Sequence, residues 1–312
     1  MRVLFLGTPE FALPTLEFLL DSSHSIVGVM TRPDRPLGRS GAAVPSPVKR
    51  SALERGLPTL QPARVNSEGT YRRVRERHPD VAVVVAFGRL LSPDFLAIPR
   101  HGCINLHASL LPAYRGAAPI QWAVARGERA TGLTTMLMDA GLDTGDVLLQ
   151  RTVSIHPEET AAELAGRLSS MGGPLVLETL AGLEAGTLTP RPQPADAVSF
   201  APVLRKEDGR IDWRWDAARI ANLVRGMQPW PVAHTALAEG SLRLFRASPA
   251  GHGEQAAPPG TVIGLRDDAV LVACGEGGLL AVREVQPESH RRMSGQEAVN
   301  GRILRVGGRL GP

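Results

Sequence analysis

The chain is poor in several things, and each shortage narrows what it is. It has two cysteines, Cys103 and Cys274, far apart and matching no redox or metal-ligand spacing, so no disulfide framework is implied. Two free thiols fit a reducing, cytoplasmic compartment. Lysine occurs only at Lys49 and Lys206, leaving arginine to supply almost all positive charge. Aromatic residues make up 4%, so the stacking platforms that announce single-strand nucleic-acid binding are missing. Nowhere do about 18 uncharged apolar residues run together, and a transmembrane helix is not expected. The apolar start MRVLFLGTPEFALPTLEFLL is interrupted by Glu10 and Glu17 with no small-residue cleavage site after it, which is unlike a signal peptide. A soluble protein is expected.

A further absence concerns cofactors. The first predicted strand runs into Gly7-Thr8-Pro9, a tight strand-to-helix turn of the kind nucleotide-binding folds use. Neither GxGxxG nor GxxxxGK followed by Ser or Thr occurs there, so nicotinamide and nucleoside triphosphate cofactors lose their main support. No His, Cys and carboxylate cluster has metal-ligand spacing either, and no metal is implied.

What is present suits two domains. At 312 residues with 43% hydrophobic content, the chain is long enough to bury a core in each. Residues 3–6, 26–30, 81–86 and 103–107 read as strands, and residues 14–20 and 68–77 as helices between them. That alternation predicts an α/β fold with a mostly parallel, Rossmann-like sheet. Residues 134–138 and 147–153 read as two more strands, and residues 158–183 as a helix interrupted at Gly172-Gly173-Pro174. The proline-rich stretch 186–202 reads as a linker. Beyond it lie a helix at 216–225 and five short strands at 233–237, 242–247, 261–265, 270–274 and 279–285, the pattern of a small β-barrel of oligonucleotide-binding type. The expected division is 1–188 catalytic domain, 189–205 linker and 206–312 barrel. From Arg205 onward there are 15 basic and 12 acidic residues, so this part carries +3 of the total +4, a bias compatible with a polyanionic partner.

The chemistry concentrates in CINLHASLLPAYRGAAP at 103–119. In a strand, residues two apart share a face, so Asn105 and His107 project side by side. An amide donor beside an imidazole suits a developing oxyanion and a mobile proton. Ser109, Leu110, Leu111 and Pro112 follow at once, offering backbone polar groups between leucine walls to a flat, polar-edged heterocycle. A third candidate, Asp143, lies in MDAGLDTGDVL, where Gly141 and Gly145 allow a bent backbone. An aspartate beside an imidazole favours its charged form and fixes its orientation.

These segments, with GTPEF at 7–11, TRPDRPLGR at 31–39, PSPVK at 45–49, IDW at 211–213, QPWP at 228–231 and PPGTVI at 258–263, resemble the methionyl-tRNA formyltransferases across nearly the whole chain. The resemblance implies a Rossmann-like domain binding 10-formyltetrahydrofolate as cosubstrate and a barrel that helps hold the initiator tRNA. It implies formyl transfer to the amino group of tRNA-bound methionine in the cytoplasm, by a monomer. Carried over residue by residue, Asn105, His107 and Asp143 are the catalytic trio, and Ser109, Leu110, Leu111 and Pro112 line the folate site. The loop 31–49 would reach the acceptor end of the tRNA, with Arg35, Arg39 and Lys49 on phosphates or end bases. Here the chain departs from its relatives, since Gly41 and Ala42 stand where lysine is frequent.

Two rival functions keep parts of this pattern. An amino-sugar nucleotide formyltransferase would share the catalytic core, while LDTGD at 142–146 and GAAPIQW at 116–122 look like the tRNA enzyme. A catalytically silent RNA-binding protein would not need Asn105, His107 and Asp143 intact. A glycinamide ribonucleotide formyltransferase would lack the C-terminal domain, and a folate-linked hydrolase or dehydrogenase would need one more domain.

Overall fold

The computed structural model describes residues 1–36, 43–253 and 257–311. It divides into two units. The first comprises Met1–Pro119, Ala130–Ser154 and Ala165–Pro202, and the second Ile120–Arg129, Ile155–Leu164 and Val203–Pro312. The chain thus crosses into the second unit twice before residue 203, where a contiguous division had been expected.

The first unit is built on seven strands: β1 (Arg2–Gly7), β2 (Ser25–Met30), β3 (Thr59–Leu60), β4 (Val81–Val85), β5 (Cys103–His107), β6 (Ala130–Leu137) and β7 (Val147–Ser154). Their order is β7-β6-β5-β4-β1-β2-β3. The five from β5 to β3 run parallel, and β6 and β7 are antiparallel additions at one edge. The sequence VAVVV of β4 is buried at every position, as a central parallel strand covered on both faces requires.

Helices α1 (Leu13–Leu20), α2 (Pro47–Glu54) and α3 (Glu68–Arg75) follow in this unit. Within the expected loop 31–49 the described residues carry regular structure. Arg35–Pro36 pairs with Ala43–Val44 as a two-residue ladder, and α2 begins at Pro47 with the Ser46 hydroxyl accepting the Lys49 N–H at 3.2 Å. Serine before proline is a helix start here, because proline loses nothing at a position whose N–H has no helical partner.

The longest helix, Ala161–Glu184, runs unbroken through Gly172-Gly173-Pro174, so the expected interruption is absent. The glycines serve packing. A Cβ at Gly172 would lie 2.5 Å from Leu106 Cδ2, and one at Gly173 would lie 2.4 Å from the Phe18 ring. Both positions therefore let the helix approach β5 and α1 closely, and this packing offsets the hydrogen bond that Pro174 cannot make.

The second unit carries a helix, Ala217–Gly226, capped by Asp216, whose carboxylate accepts the Arg219 N–H at 2.8 Å. Gly226 sits where a Cβ would meet the Ala125 N at 2.5 Å, which seats this helix on residues 120–129. Five strands, β8 (Ala233–Ala236), β9 (Ser241–His252), β10 (Val262–Arg266), β11 (Ala269–Ala273) and β12 (Gly278–Pro287), form an antiparallel sheet in the order β8-β9-β12-β11-β10. Met293–Ser294 adds a short strand beside β12.

Its outer strands are linked through residues 307–311. Val262 N–H donates to the Gly308 carbonyl at 2.8 Å, Leu310 N–H to Gly260 at 2.8 Å and Gly311 N–H to Ala236 at 3.0 Å. The sheet is thereby closed into the small barrel expected from five short strands. Among the described residues no helix is long and apolar enough to cross a membrane.

The close approach at Gly172 predicts a cost for any side chain there. Gly172→Val should destabilise the protein by about 1–3 kcal/mol through overpacking, read as a lower midpoint in urea denaturation. An unchanged midpoint would mean that the helix and β5 part without loss.

Candidate active site

Strand β5 fixes two of the candidate side chains by its alternation. Leu106 turns to the Gly172 side of the sheet, so Asn105 and His107 share the other face. Asn105 stands opposite Val84 and Met136, and His107 opposite Thr134, at the carboxyl end of the strand. Ligands of open α/β sheets bind beyond those strand ends. Asn105 is half-buried and His107 is buried.

The imidazole is anchored by Tyr114. Nε2 of His107 lies 3.0 Å from the Tyr114 carbonyl oxygen, an acceptor only, so Nε2 carries the proton. Nδ1 is the nitrogen left to act. It lies 3.7 Å from Oδ2 of Asp143, within the reach of charge but beyond a hydrogen bond. Oδ2 itself accepts the Gly116 N–H at 2.8 Å. His107 and Asp143 therefore come together, with ring orientation set by a backbone carbonyl and not by the carboxylate.

The Asp143 loop bends for a different reason than its glycines suggested. Asp143 itself adopts φ +54°, in the left-handed region. The glycines provide space: a Cβ at Gly145 would stand 1.8 Å from the Leu137 carbonyl, and one at Gly141 would stand 2.0 Å from Thr144 Oγ1. Asp139 closes the loop locally by accepting from Gly141 N–H at 3.0 Å and from the Thr144 hydroxyl at 2.7 Å.

The turn at Ser109, Leu110, Leu111 and Pro112 is held from within. The Ser109 hydroxyl donates to the Ala113 carbonyl at 2.6 Å, and the Thr134 hydroxyl donates to the Ser109 carbonyl at 2.6 Å. Leu111 N–H donates to Thr134 Oγ1 at 3.1 Å, while the Gln150 amide donates to the Leu111 carbonyl at 2.8 Å. The Leu110 carbonyl accepts from Ala113 N–H and the Pro112 carbonyl from Ser199 N–H. Leu111 packs with Met136 and Val147. Much of the backbone polarity expected to face a ligand is thus engaged inside the protein, and the turn chiefly offers shape and apolar wall.

Of the three basic candidates, Arg35 is exposed on its short ladder, and Arg39 lies outside the described residues with Gly41 and Ala42. Lys49 is committed. Its ammonium donates to Oδ2 of Asp34 at 2.5 Å, and the Gln61 amide donates to Oδ1 at 2.7 Å. These two donors hold the Asp34 carboxyl below its usual value, Lys49 contributing more.

Residues that pattern reading did not single out complete the site. Tyr114, at φ +61°, presents its carbonyl to His107 while its N–H donates to the Ser199 hydroxyl at 2.9 Å. Thr134 and Gln150 brace the turn. Gln193, held by Arg115, reaches the Asp143 loop. Only Thr134 and Gln150 sat on expected strands. Gln193 and Ser199 belong to the stretch expected to be a linker, which instead packs into the first unit. Among the described residues no group of three or more His, Cys, Asp or Glu is arranged to hold a metal ion.

Comparison with known proteins places this geometry in context. A family model described as formyl transferase matches residues 1–180, and one described as formyl transferase, C-terminal domain, matches residues 203–302. A methionyl-tRNA formyltransferase of Geobacter metallireducens is 48% identical over 311 residues, covering 100% of this chain and 99% of its own. Among solved structures, WlaRD, a sugar 3N-formyl transferase determined in the presence of dTDP and 5-N-formyl-THF, superposes with a TM-score of 0.68 at 15% identity, covering 93% of this chain and 99% of its own. A methionyl-tRNA formyltransferase from Clostridium thermocellum gives 0.57 at 17% identity over 80% of this chain and 93% of its own. Both structural likenesses concern the fold.

The brace beneath the turn has a measurable weight. Thr134→Val removes one hydroxyl that serves Ser109 and Leu111 at once and leaves buried backbone groups unpaired, which should cost about 1–3 kcal/mol. Chemical denaturation reads this directly, and a change below about 0.5 kcal/mol, the ordinary range for surface substitutions, would show that the turn does not depend on Thr134.

Proposed function

The chain belongs to the formyl transferase family, whose N- and C-terminal domains it both carries, and on that premise we propose that it transfers a formyl group from 10-formyltetrahydrofolate to the amino group of methionyl initiator tRNA. The observation that carries this reading is the 48% identity to a methionyl-tRNA formyltransferase along the full length of both chains. In favour of an amino-sugar acceptor stand fold-level likenesses at 14–18% identity.

The reaction asks three things of the protein. The acceptor amine must be neutral to attack, negative charge that collects on the formyl oxygen must be stabilised, and a proton must travel from the amine to the departing nitrogen. 10-Formyltetrahydrofolate supplies the formyl carbon and the leaving nitrogen. Ser109, Leu110, Leu111 and Pro112 form the wall against which the folate lies, consistent with a turn that is braced from behind and apolar in front.

Asn105 donates its amide N–H to the charged oxygen. His107, with Nε2 given to the Tyr114 carbonyl, keeps Nδ1 turned toward the reacting centre beside the Asp143 carboxylate. One such donor is worth roughly 10² to 10³ in rate. Asp143 accepts the proton shed by the amine and returns it to the leaving nitrogen, with its carboxylate kept in place by the Gly116 N–H.

For the tRNA, Arg35 and Arg39 serve as contacts to phosphates or end bases, as their planar, forked donors suit. Lys49 lends its charge while it holds Asp34, the residue before Arg35. The barrel's arginines provide the remaining attraction for the polyanion.

Two experiments test this. The purified protein, given 10-formyltetrahydrofolate and charged initiator tRNA, should yield formylmethionyl-tRNA, and Asp143→Asn should lower turnover by about 10²- to 10⁴-fold with an unchanged melting temperature. Transfer to a dTDP-amino sugar with none to tRNA would refute the acceptor, and near wild-type turnover of the variant would refute the role of Asp143. In the second experiment, the salt dependence of tRNA binding is compared for wild type, Arg35→Ala and Arg39→Ala. Each lost phosphate contact should reduce the slope of log affinity against log salt by about 1, whereas two unchanged slopes would locate the phosphate contacts elsewhere.

A further inference from the structure

We propose that Gln193, fixed by Arg115, is a positioning residue that holds Asp143 beside His107, and that residues 191–201 are a working part of the active site. The inference rests on the role given to Asp143 above.

The orientation of the Gln193 amide is determined by chemistry. Arg115 Nε and Nη2 both donate to Gln193 Oε1, at 3.0 and 2.7 Å. A guanidinium only donates, so the amide oxygen must face it, and the amide nitrogen must face the other way. There Nε2 donates to two carbonyls of the Asp143 loop, that of Asp143 itself at 2.9 Å and that of Gly145 at 2.7 Å. The Arg115 charge polarises the amide and strengthens both bonds.

Asp143 is thus gripped from two sides. Its carbonyl is held by Gln193, and its carboxylate by the N–H of Gly116, the residue after Arg115. The grip has a purpose. A non-glycine residue in the left-handed region costs about 1–3 kcal/mol and persists only where its surroundings fix it. Leu142 beside it is exposed and contributes little packing. Without Gln193, the carboxylate 3.7 Å from Nδ1 of His107 would be held on one side only.

The same segment steadies the other partner of the pair. Ser199 accepts the Tyr114 N–H at 2.9 Å through its hydroxyl and the Arg115 N–H at 2.9 Å through its carbonyl, and Phe200–Ala201 pairs in parallel with Arg115–Gly116. Tyr114 is the residue whose carbonyl anchors His107. Arg191 exchanges two hydrogen bonds with Val147, both 2.9 Å, which fixes where the segment begins. One stretch of chain therefore braces the supports of both His107 and Asp143.

The test uses the full-length protein with Gln193→Leu, which removes every bond, and Gln193→Glu, which keeps Arg115 but sets an acceptor against two carbonyls. Both should lower kcat by about 10- to 100-fold, the scale of a misplacement near 1 Å, with KM for formyl folate and tRNA within about twofold of wild type. Exchange of the Gly116 amide, followed by NMR, should accelerate in both. In an Asp143→Asn background Gln193→Leu should lower kcat by less than about twofold further, because residues acting as one unit are not additive. Wild-type kcat in both single variants, or a loss that multiplies fully with that of Asp143→Asn, would overturn the proposal. If wild type formylated an amino sugar instead of tRNA, the acceptor reading would fall, yet the same kcat loss measured on that sugar would still uphold the clamp.

Discussion

The Tyr114 carbonyl, 3.0 Å from Nε2 of His107, is the contact from which the rest of the site follows. It decides which nitrogen is committed and which remains. A carbonyl only accepts, so the neutral ring must carry its proton on Nε2, and Nδ1 is left to face Asp143. Had Nε2 been free, strand β5 would have delivered an imidazole able to rotate about its outer bonds, and alternation alone would not have fixed its chemistry. The strand sets position and the carbonyl sets tautomer.

That arrangement shows why so many hydrogen bonds at this site run to backbone. Asn105 and His107 sit on a strand buried between two others, which needs no further support. Tyr114, Ser109 to Pro112 and Asp143 sit on irregular chain, where nothing periodic satisfies N–H and C=O groups. Thr134, Gln150, Gln193 and Ser199 supply those partners from the sheet edge and from residues 191–201. Each polar side chain does for a loop what a neighbouring strand does for β5.

The same distinction explains what the sequence made legible. Strands β1, β2, β4 and β5 were readable because apolar, β-branched runs of five or six residues have a pattern of their own, and the Asn105–His107 pair because period two is visible in five letters. Thr59–Leu60 is too short to carry a period. Pro47 fell inside the expected loop 31–49, although Ser46 before it makes it a helix start. Gly172-Gly173-Pro174 was read as a break because its explanation lies in Leu106 and Phe18, distant in sequence. Gln193 and Ser199 left no trace at all. Their bonds to Asp143 and Tyr114 span 50 and 85 residues, and a proline-rich stretch looks the same whether it is a tether or a brace.

Charge in the second unit follows a related logic, since counting arginines says less than seeing what they touch. Arg214 is hydrogen-bonded to Asp212 through Nε and Nη2, Arg283 pairs with Asp268, Arg291 with Glu297, and Arg292 with Glu284 while its guanidinium lies 3.5 Å over the Phe245 ring. These partners do not remove the arginines from use by a polyanion. Exposed pairs contribute only about 0–1 kcal/mol, so replacing a carboxylate by a phosphate costs little beyond reorienting the side chain. Lys49 differs in kind, because its partner Asp34 is also held by Gln61 and both members of the pair are largely shielded. Breaking that contact would strip a carboxylate of its charge partner next to Arg35, which makes Lys49 a support for the segment that carries Arg35 and leaves the arginines as the side chains free to exchange partners.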